Sequence, residues 1–248
     1  MKYLLISLLF LSSLVYAKPN ACNKQIKIAV IDTGFGYHGV DNNVPLCNVE
    51  HKDFTKSQMF TKRSLRTSYP TDTHGHGTNI IGLISRYAAP SRANYCIIVI
   101  KFWTPEFTTA RENNKNSLSA LTYAISLKPD IINYSAGGEH YLQEEATLIK
   151  SYLDQGGMLV AAAGNEGKEL GVNGNYYPAM LDPRIMVVGN KNWNESRVTS
   201  SNYGKLVKAW EYGVEREALG VTMTGTSQAT AIATGKIIGV MSQQCDRK

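Results

Sequence analysis

The sequence predicts one three-layer α/β domain, a mostly parallel sheet held between two layers of helices. Three observations lead there. Short β-branched apolar runs recur along the chain, stretches with apolar residues at helical spacing lie between them, and compact turn signals join the two. Strand, helix, strand in this alternation calls for parallel pairing through right-handed crossovers, which leaves helices on both faces of the sheet.

The elements follow in order. Ile26 to Ile31 reads as a buried strand closed by Asp32-Thr33-Gly34, and residues 76 to 88 as a helix. Asn94 to Trp103 is the next strand. Thr104 to Asn116 is weakly patterned and is expected to be a surface loop. Leu118, Leu121 and Ile125 recur at helical spacing until Pro129, which disfavours helix in the residue before it. Asp130 to Ser135 is again a strand. Leu142, Ala146, Ile149 and Leu153 mark a helix that Gly156-Gly157 ends, and the strands Met158 to Ala163 and Ile185 to Gly189 complete the pattern. In open parallel sheets ligands bind beyond the carboxyl ends of the strands, so the turns after Ile31, Tyr134 and Ala163 are the ones to inspect.

Residues 1–17 carry a lysine, an apolar stretch from Leu4 to Val15, and small residues at Val15 and Ala17, the layout of a secretory signal peptide. The stretch is shorter than the roughly 20 apolar residues of a spanning helix. Export to a secreted or periplasmic location is therefore expected, with residues 18–248 as one domain. The net charge of +6 is spread along the chain without a basic block, which argues against a nucleic-acid partner. No later stretch approaches membrane-spanning length, so no membrane contact is expected once the leader is gone. A monomer is expected. Cys22, Cys47, Cys96 and Cys245 all follow the leader, and an even count in an exported chain suggests two disulfides out of three possible pairings.

The chemistry concentrates in three polar segments. Asp32 closes a strand, His74 and His76 flank a glycine at a helix start, and Ser227 follows Gly225-Thr226 at the start of the last helical segment. A serine there is ordinarily a helix cap. Two imidazoles at this spacing fit a metal only if a strand turns both to one side, and no third ligand stands in a recognisable motif, so neither a metal nor an organic cofactor is expected. The Asp-Thr-Gly turn also occurs in aspartic peptidases, which need a second such aspartate, and the chain has no other.

The order aspartate, histidine, serine resembles that of the subtilase family of serine peptidases. Val30-Ile31-Asp32-Thr33-Gly34 is similar to the family's aspartate motif, Gly75-His76-Gly77-Thr78 with Gly82 to its histidine motif, and Gly225-Thr226-Ser227-Gln228-Ala229 to its serine motif. The resemblance implies a subtilisin-like fold and an acyl-enzyme on Ser227, with His76 as base, Asp32 as its orienting carboxylate, and His74 at the rim. It places the oxyanion-hole amide at Asn165, and substrate contacts at Ser135, Ala136, Gly137 and Gly164. Weaker echoes at 176 to 179 and 200 to 204 fall in family order. The implied partner is a peptide or protein substrate. Glu166, at the mouth of the pocket for the residue before the cut, would favour Lys or Arg there, with a solvated loop charge as the alternative.

The chain departs from the family in several places. Ala231 stands where proline is usual, residues 206–215 lack the family's Ala-Pro-Gly turn, and no room exists after the histidine helix for a calcium loop. Only eight residues separate Ala17 from Ile26, too few for a pro-domain, so the domain folds unaided or a separate inhibitor restrains it. A catalytically silent, secreted peptide-binding protein of the same fold is the rival reading.

Overall fold

A computed structural model describes residues 24–39, 43–55, 69–105 and 109–244. The leader, Cys22 and Cys245 lie outside these described residues. Seven parallel strands form the main sheet. In spatial order they are β2 (Lys52–Asp53), β3 (Tyr95–Lys101), β1 (Ile26–Asp32), β4 (Ile131–Tyr134), β5 (Met158–Ala162), β6 (Met186–Lys191) and β7 (Ala209–Tyr212). Helices α1 (His76–Ala88), α2 (Ala110–Ser126), α3 (Gln143–Asp154) and α4 (Thr226–Gln244) cover it, and the hairpin β8–β9 (Arg216–Ala218, Val221–Met223) stands apart.

Both faces of the central strands are buried, which is why they read as unbroken apolar runs and not as alternating ones. Ile28 and Val30 of β1 pack with Ile80 and Ile84 of α1 and Ile238 of α4. Ala29 and Ile31, pointing the other way, pack with Leu121 and Ala124 of α2 and Ile149 of α3. The three layers follow from these two cores.

This division of helices fixes where a cleft can form. The connection leaving β1 runs through α1 on one face, while that leaving β4 runs through α3 on the other, and the two strands are neighbours. Adjacent strands whose connections depart to opposite faces open a crevice at their carboxyl ends. Asp32 and Ser135 stand on its two sides.

One sequence expectation changes. The stretch expected as a loop through Asn116 becomes helix at Ala110, where Thr109 and Glu112 form a reciprocal capping box: Thr109 Oγ1 accepts from Glu112 N at 3.2 Å and Glu112 Oε2 accepts from Thr109 N at 2.9 Å. The first two turns, Ala110 to Asn116, are nearly all polar and show no apolar periodicity. Residues 206–215, which lack the Ala-Pro-Gly turn usual in the family, contain the seventh strand, β7 (Ala209–Tyr212).

Of the two expected disulfides, Cys47–Cys96 is present and closes a separation of 49 residues. The entropy it removes from the unfolded chain corresponds to about 4 kcal/mol.

Helices α1 and α4, which begin at His76 and Thr226, touch at Gly235. A Cβ there would lie 2.6 Å from the Ile84 carbonyl oxygen and 2.7 Å from Tyr87 Cβ. Backbone cannot retreat as a side-chain tip can, so Gly235→Ala should force the helices apart. We expect a net loss of about 1–3 kcal/mol in urea unfolding despite alanine's better helix propensity.

Candidate active site

Asp32 ends β1, almost wholly buried, and its Oδ1 accepts from the Thr33 amide at 2.7 Å. The same oxygen lies 2.7 Å from His76 Nδ1, while Oδ2 has no partner among the described residues. Binding Nδ1 to a carboxylate fixes the tautomer and leaves Nε2 as the working nitrogen. Burial alone would lower the His76 pKa, but the charge and hydrogen bond of Asp32, with the charge of Asp72, outweigh it and raise it above the ordinary 6.5.

Asp72, which the sequence reading did not single out, organises the turn into α1. Its Oδ1 accepts from Thr33 Oγ1 at 2.9 Å, His74 N at 2.9 Å and Gly75 N at 2.8 Å. Its Oδ2 accepts from Thr78 N at 2.9 Å and Thr78 Oγ1 at 2.7 Å. Burial pushes the carboxyl's pKa up, but the hydrogen bonds from Thr78, Gly75 and His74 overcome that and hold it below its usual value. The readable signal was an acid a few residues ahead of a helix, where exposed N–H groups favour a negative charge. Gly75, at φ 95°, supplies the left-handed turn. His74 is exposed at the rim, its ring edge-on to Trp103 at 5.2 Å.

Ser227 lies in the first turn of α4 and is held against β4 by a buried polar chain. Thr234 Oγ1 donates to Asn133 Oδ1 at 2.9 Å, Asn133 Nδ2 to Ser135 Oγ at 2.9 Å, and Ser135 Oγ to the Ser227 carbonyl at 3.3 Å. The Ser227 hydroxyl donates to the Ser135 carbonyl at 2.7 Å. Among the described residues no hydrogen bond joins it to His76, so the expected carboxylate–imidazole–hydroxyl chain is made in its first link only.

Asn165 is exposed, with its Oδ1 accepting from Thr226 N at 2.9 Å and Thr226 Oγ1 at 3.2 Å. Anchoring the oxygen leaves the Nδ2 donor without a partner among the described residues at the start of α4. Asn202 pins the turn that carries it: its Nδ2 donates to Ala163 O at 2.8 Å and Glu166 Oε2 at 2.6 Å, and its Oδ1 accepts from Lys168 N at 2.9 Å.

The backbone groups of Ala136 and Gly137 have no hydrogen-bond partner among the described residues, an open edge on which an extended chain can lie. Gly164 differs: its N–H donates to Thr226 Oγ1 and its carbonyl accepts from Asn202 N. It serves as a close-packed turn at φ 96°. The ring of Tyr176 fills the wedge between the two glycines, 2.6 Å from where a Cβ on Gly137 would stand and 2.7 Å from one on Gly164. Glu166, tied to Asn202, lies against the same glycine.

A family model described as "Subtilase family" matches residues 23–245. Subtilisin-like protease 2 of Trichophyton tonsurans is 26% identical over 239 residues, 92% of this chain and 51% of that protein. The protein of the same description from Arthroderma otae is 27% identical over 239 residues, with the same 92% and 51% covered. The chain thus spans about half the length of these relatives. Among solved structures, a cold adapted subtilisin-like serine proteinase superposes with a TM-score of 0.69 at 21% identity, over 92% of this chain and 78% of that one. A lanthipeptide protease gives 0.72 at 17% identity, over 90% and 74%. At these identities the superpositions speak to the fold.

Asp72→Asn would set an amide N–H₂ against two Thr78 donors or leave the three opposite donors mispaired. We expect a loss of at least about 2 kcal/mol at neutral pH. Because the Asp72 carboxyl titrates lower in the folded state than in the unfolded, its contribution is present above the ordinary value of 3.8 and fades as pH falls through the folded one. The gap between wild type and variant in urea melts should therefore narrow in acid.

Proposed function

The chain belongs to the subtilase family, and on that premise we propose that it is an exported serine endopeptidase cutting peptide bonds through an acyl-enzyme on Ser227. One observation carries the reading: the 2.7 Å pair of Asp32 and His76 stands in the crevice between β1 and β4, across which Ser227 is held against Ser135. Among the described residues no helix is long and apolar enough to cross a membrane, and the leader pattern of residues 1–17 supports export.

Substrate lies extended along Ser135 to Gly137, pairing with the open backbone of Ala136 and Gly137. On this reading the Ser227 hydroxyl leaves the Ser135 carbonyl for His76 Nε2 when substrate is bound. Hydrogen bonds of this kind often tighten only when substrate is bound. His76 Nε2 accepts the hydroxyl proton as Oγ attacks the carbonyl carbon, then returns it to the departing amine. Asp32 stabilises the imidazolium without taking its proton.

Charge developing on the carbonyl oxygen meets the Ser227 N–H, free in the first helical turn, and Nδ2 of Asn165. Water repeats the sequence on the acyl-enzyme and releases the second product. The rival reading, a silent peptide-binding protein, is favoured by one feature, the Ser227 hydroxyl resting on Ser135 rather than His76.

A fluorophosphonate probe followed by peptide mapping separates the two. The enzyme should be labelled at Ser227 alone, with labelling abolished in His76→Ala; a folded protein that takes no label is the silent binder. Asn165→Ala should lower kcat by about 10²–10³, the cost known from the corresponding donor in subtilisin. Since His76 must be neutral to act, and its pKa is raised, kcat/KM should climb with pH through a midpoint above 6.5. Asp32→Asn should move that midpoint down and reduce kcat steeply.

A further inference from the structure

A cavity of about 410 Å³ runs from Asp32 and His76 past Ser135 to Gly138, and ends at the amino-terminal turns of α2 and α3. It is continuous with the backbone edge on which substrate is placed. Phe102, Trp103 and Leu142 contribute apolar wall, and Glu145, Tyr134 and Ser117 contribute polar groups at the far end. All three of these polar side chains are more than nine-tenths buried, Glu145 at 5% exposure. The Tyr134 hydroxyl stands near both Ser117 and Glu145, and the neighbouring carboxylate adds to the burial that holds its pKa well above the ordinary 10. Asn113, one helical turn before Ser117, also lines the cavity, and its Oδ1 has no donor.

This is a pocket with a surplus of acceptors. Among the described residues the carboxylate has Tyr134 as its neighbouring side-chain donor group, the Asn113 amide oxygen has no donor, and no lysine or arginine lines the cavity. A buried carboxylate without a counter-ion is costly, and a protein relieves the cost by protonation or by pairing. A long side chain with an aliphatic stem and a head of several N–H donors suits both the apolar wall and the acceptor-rich end.

We propose that this cavity receives a cationic substrate side chain, an arginine or lysine within a few residues of the cut bond, and that Glu145 is the counter-charge that selects it. The proposal rests on the peptidase reading above. It sets Glu145 in the place the sequence gave to Glu166, whose carboxylate is already engaged by Asn202.

Without an occupant, burial pushes the Glu145 carboxyl up to about 7, against the lowering effect of its Tyr134 hydrogen bond. The titratable groups that face it or share its cavity are Tyr134, Tyr176, Tyr177, His140, His74, His76 and Asp32, none of them a permanent cation. Selection for a cation should therefore strengthen as pH rises through neutrality.

The test compares peptides that differ only in Arg, Lys, Gln, Leu or Ala at each position near the cut. At pH 8 the best-placed Arg or Lys should raise kcat/KM about tenfold to a hundredfold over Ala. Below pH 6 that ratio should fall toward one; titration of His76 is common to both peptides and cancels. Glu145→Gln should flatten the ratio, and Glu145→Lys should turn the preference toward acidic residues. Glu145 keeps its proton in the folded state between 4.5 and about 7 while the unfolded chain loses it, so it destabilises progressively over that range. Glu145→Gln should thus melt higher at pH 8, which also verifies its folding.

A preference for Leu or Gln, or an Arg preference that survives Glu145→Gln, overturns the proposal and leaves the peptidase reading standing. Absence of both cleavage and probe labelling removes that reading instead. Fluorescence anisotropy on the Ser227→Ala protein then reads the pocket alone: tighter binding of the Arg peptide supports it, and equal binding of Arg and Ala peptides overturns it.

Discussion

The contact between Asp32 and His76 is the constraint around which the rest is arranged. A carboxylate with one oxygen lacking any partner among the described residues is placed at the end of a strand buried at every position but Lys27, where ionisation is expensive. What makes it tolerable is local: the Thr33 amide, the imidazole itself, and the turn that aims the imidazole. Asp72 holds that turn with five accepted hydrogen bonds, so one well-satisfied carboxylate positions the partner of a poorly satisfied one. The division suits a site in which one acid must stay available to a ring that changes charge and the other must not move.

The same logic extends across the crevice. α1 carries His76 and α4 carries Ser227, and the two helices meet where Gly235 lets backbone approach backbone. Asn79, wholly buried, ties α1 to the β8–β9 hairpin through the carbonyls of Arg216 and Val221, and accepts from Gln228 of α4 at 3.1 Å. A polar lattice of this kind fixes distances that apolar packing alone leaves slack. It ties together α1, α4 and the β8–β9 hairpin, segments separated by most of the chain.

Much of this was legible in the sequence, for identifiable reasons. Strands with two buried faces declare themselves as continuous apolar runs, and Asp32, His76 and Ser227 sit in short segments that resemble the subtilase motifs. What escaped notice depends on contacts between distant segments. Asp72 looks like a loop acid until its five donors are seen, Tyr176 falls in a weak family echo whose packing between Gly137 and Gly164 only the structure gives, and Glu145 looks like one of two adjacent exposed acids at a helix start. The start of α2 escaped because polar residues on every side of its first turns hide the period, although Thr109 and Glu112 were readable as a cap. The resting position of the Ser227 hydroxyl is a rotamer choice that no sequence pattern encodes.

The rims of the main sheet carry a consequence of another kind. An open parallel sheet ends in two strands whose unpaired amides and carbonyls can recruit a neighbouring molecule. Here one margin is β2, two residues long and made of Lys52 and Asp53, and the other is β7, four half-buried residues including Glu211. Such short, charged margins offer a foreign strand few rungs and an electrostatic penalty. Among the described residues, then, neither margin gives fibril-forming association much purchase.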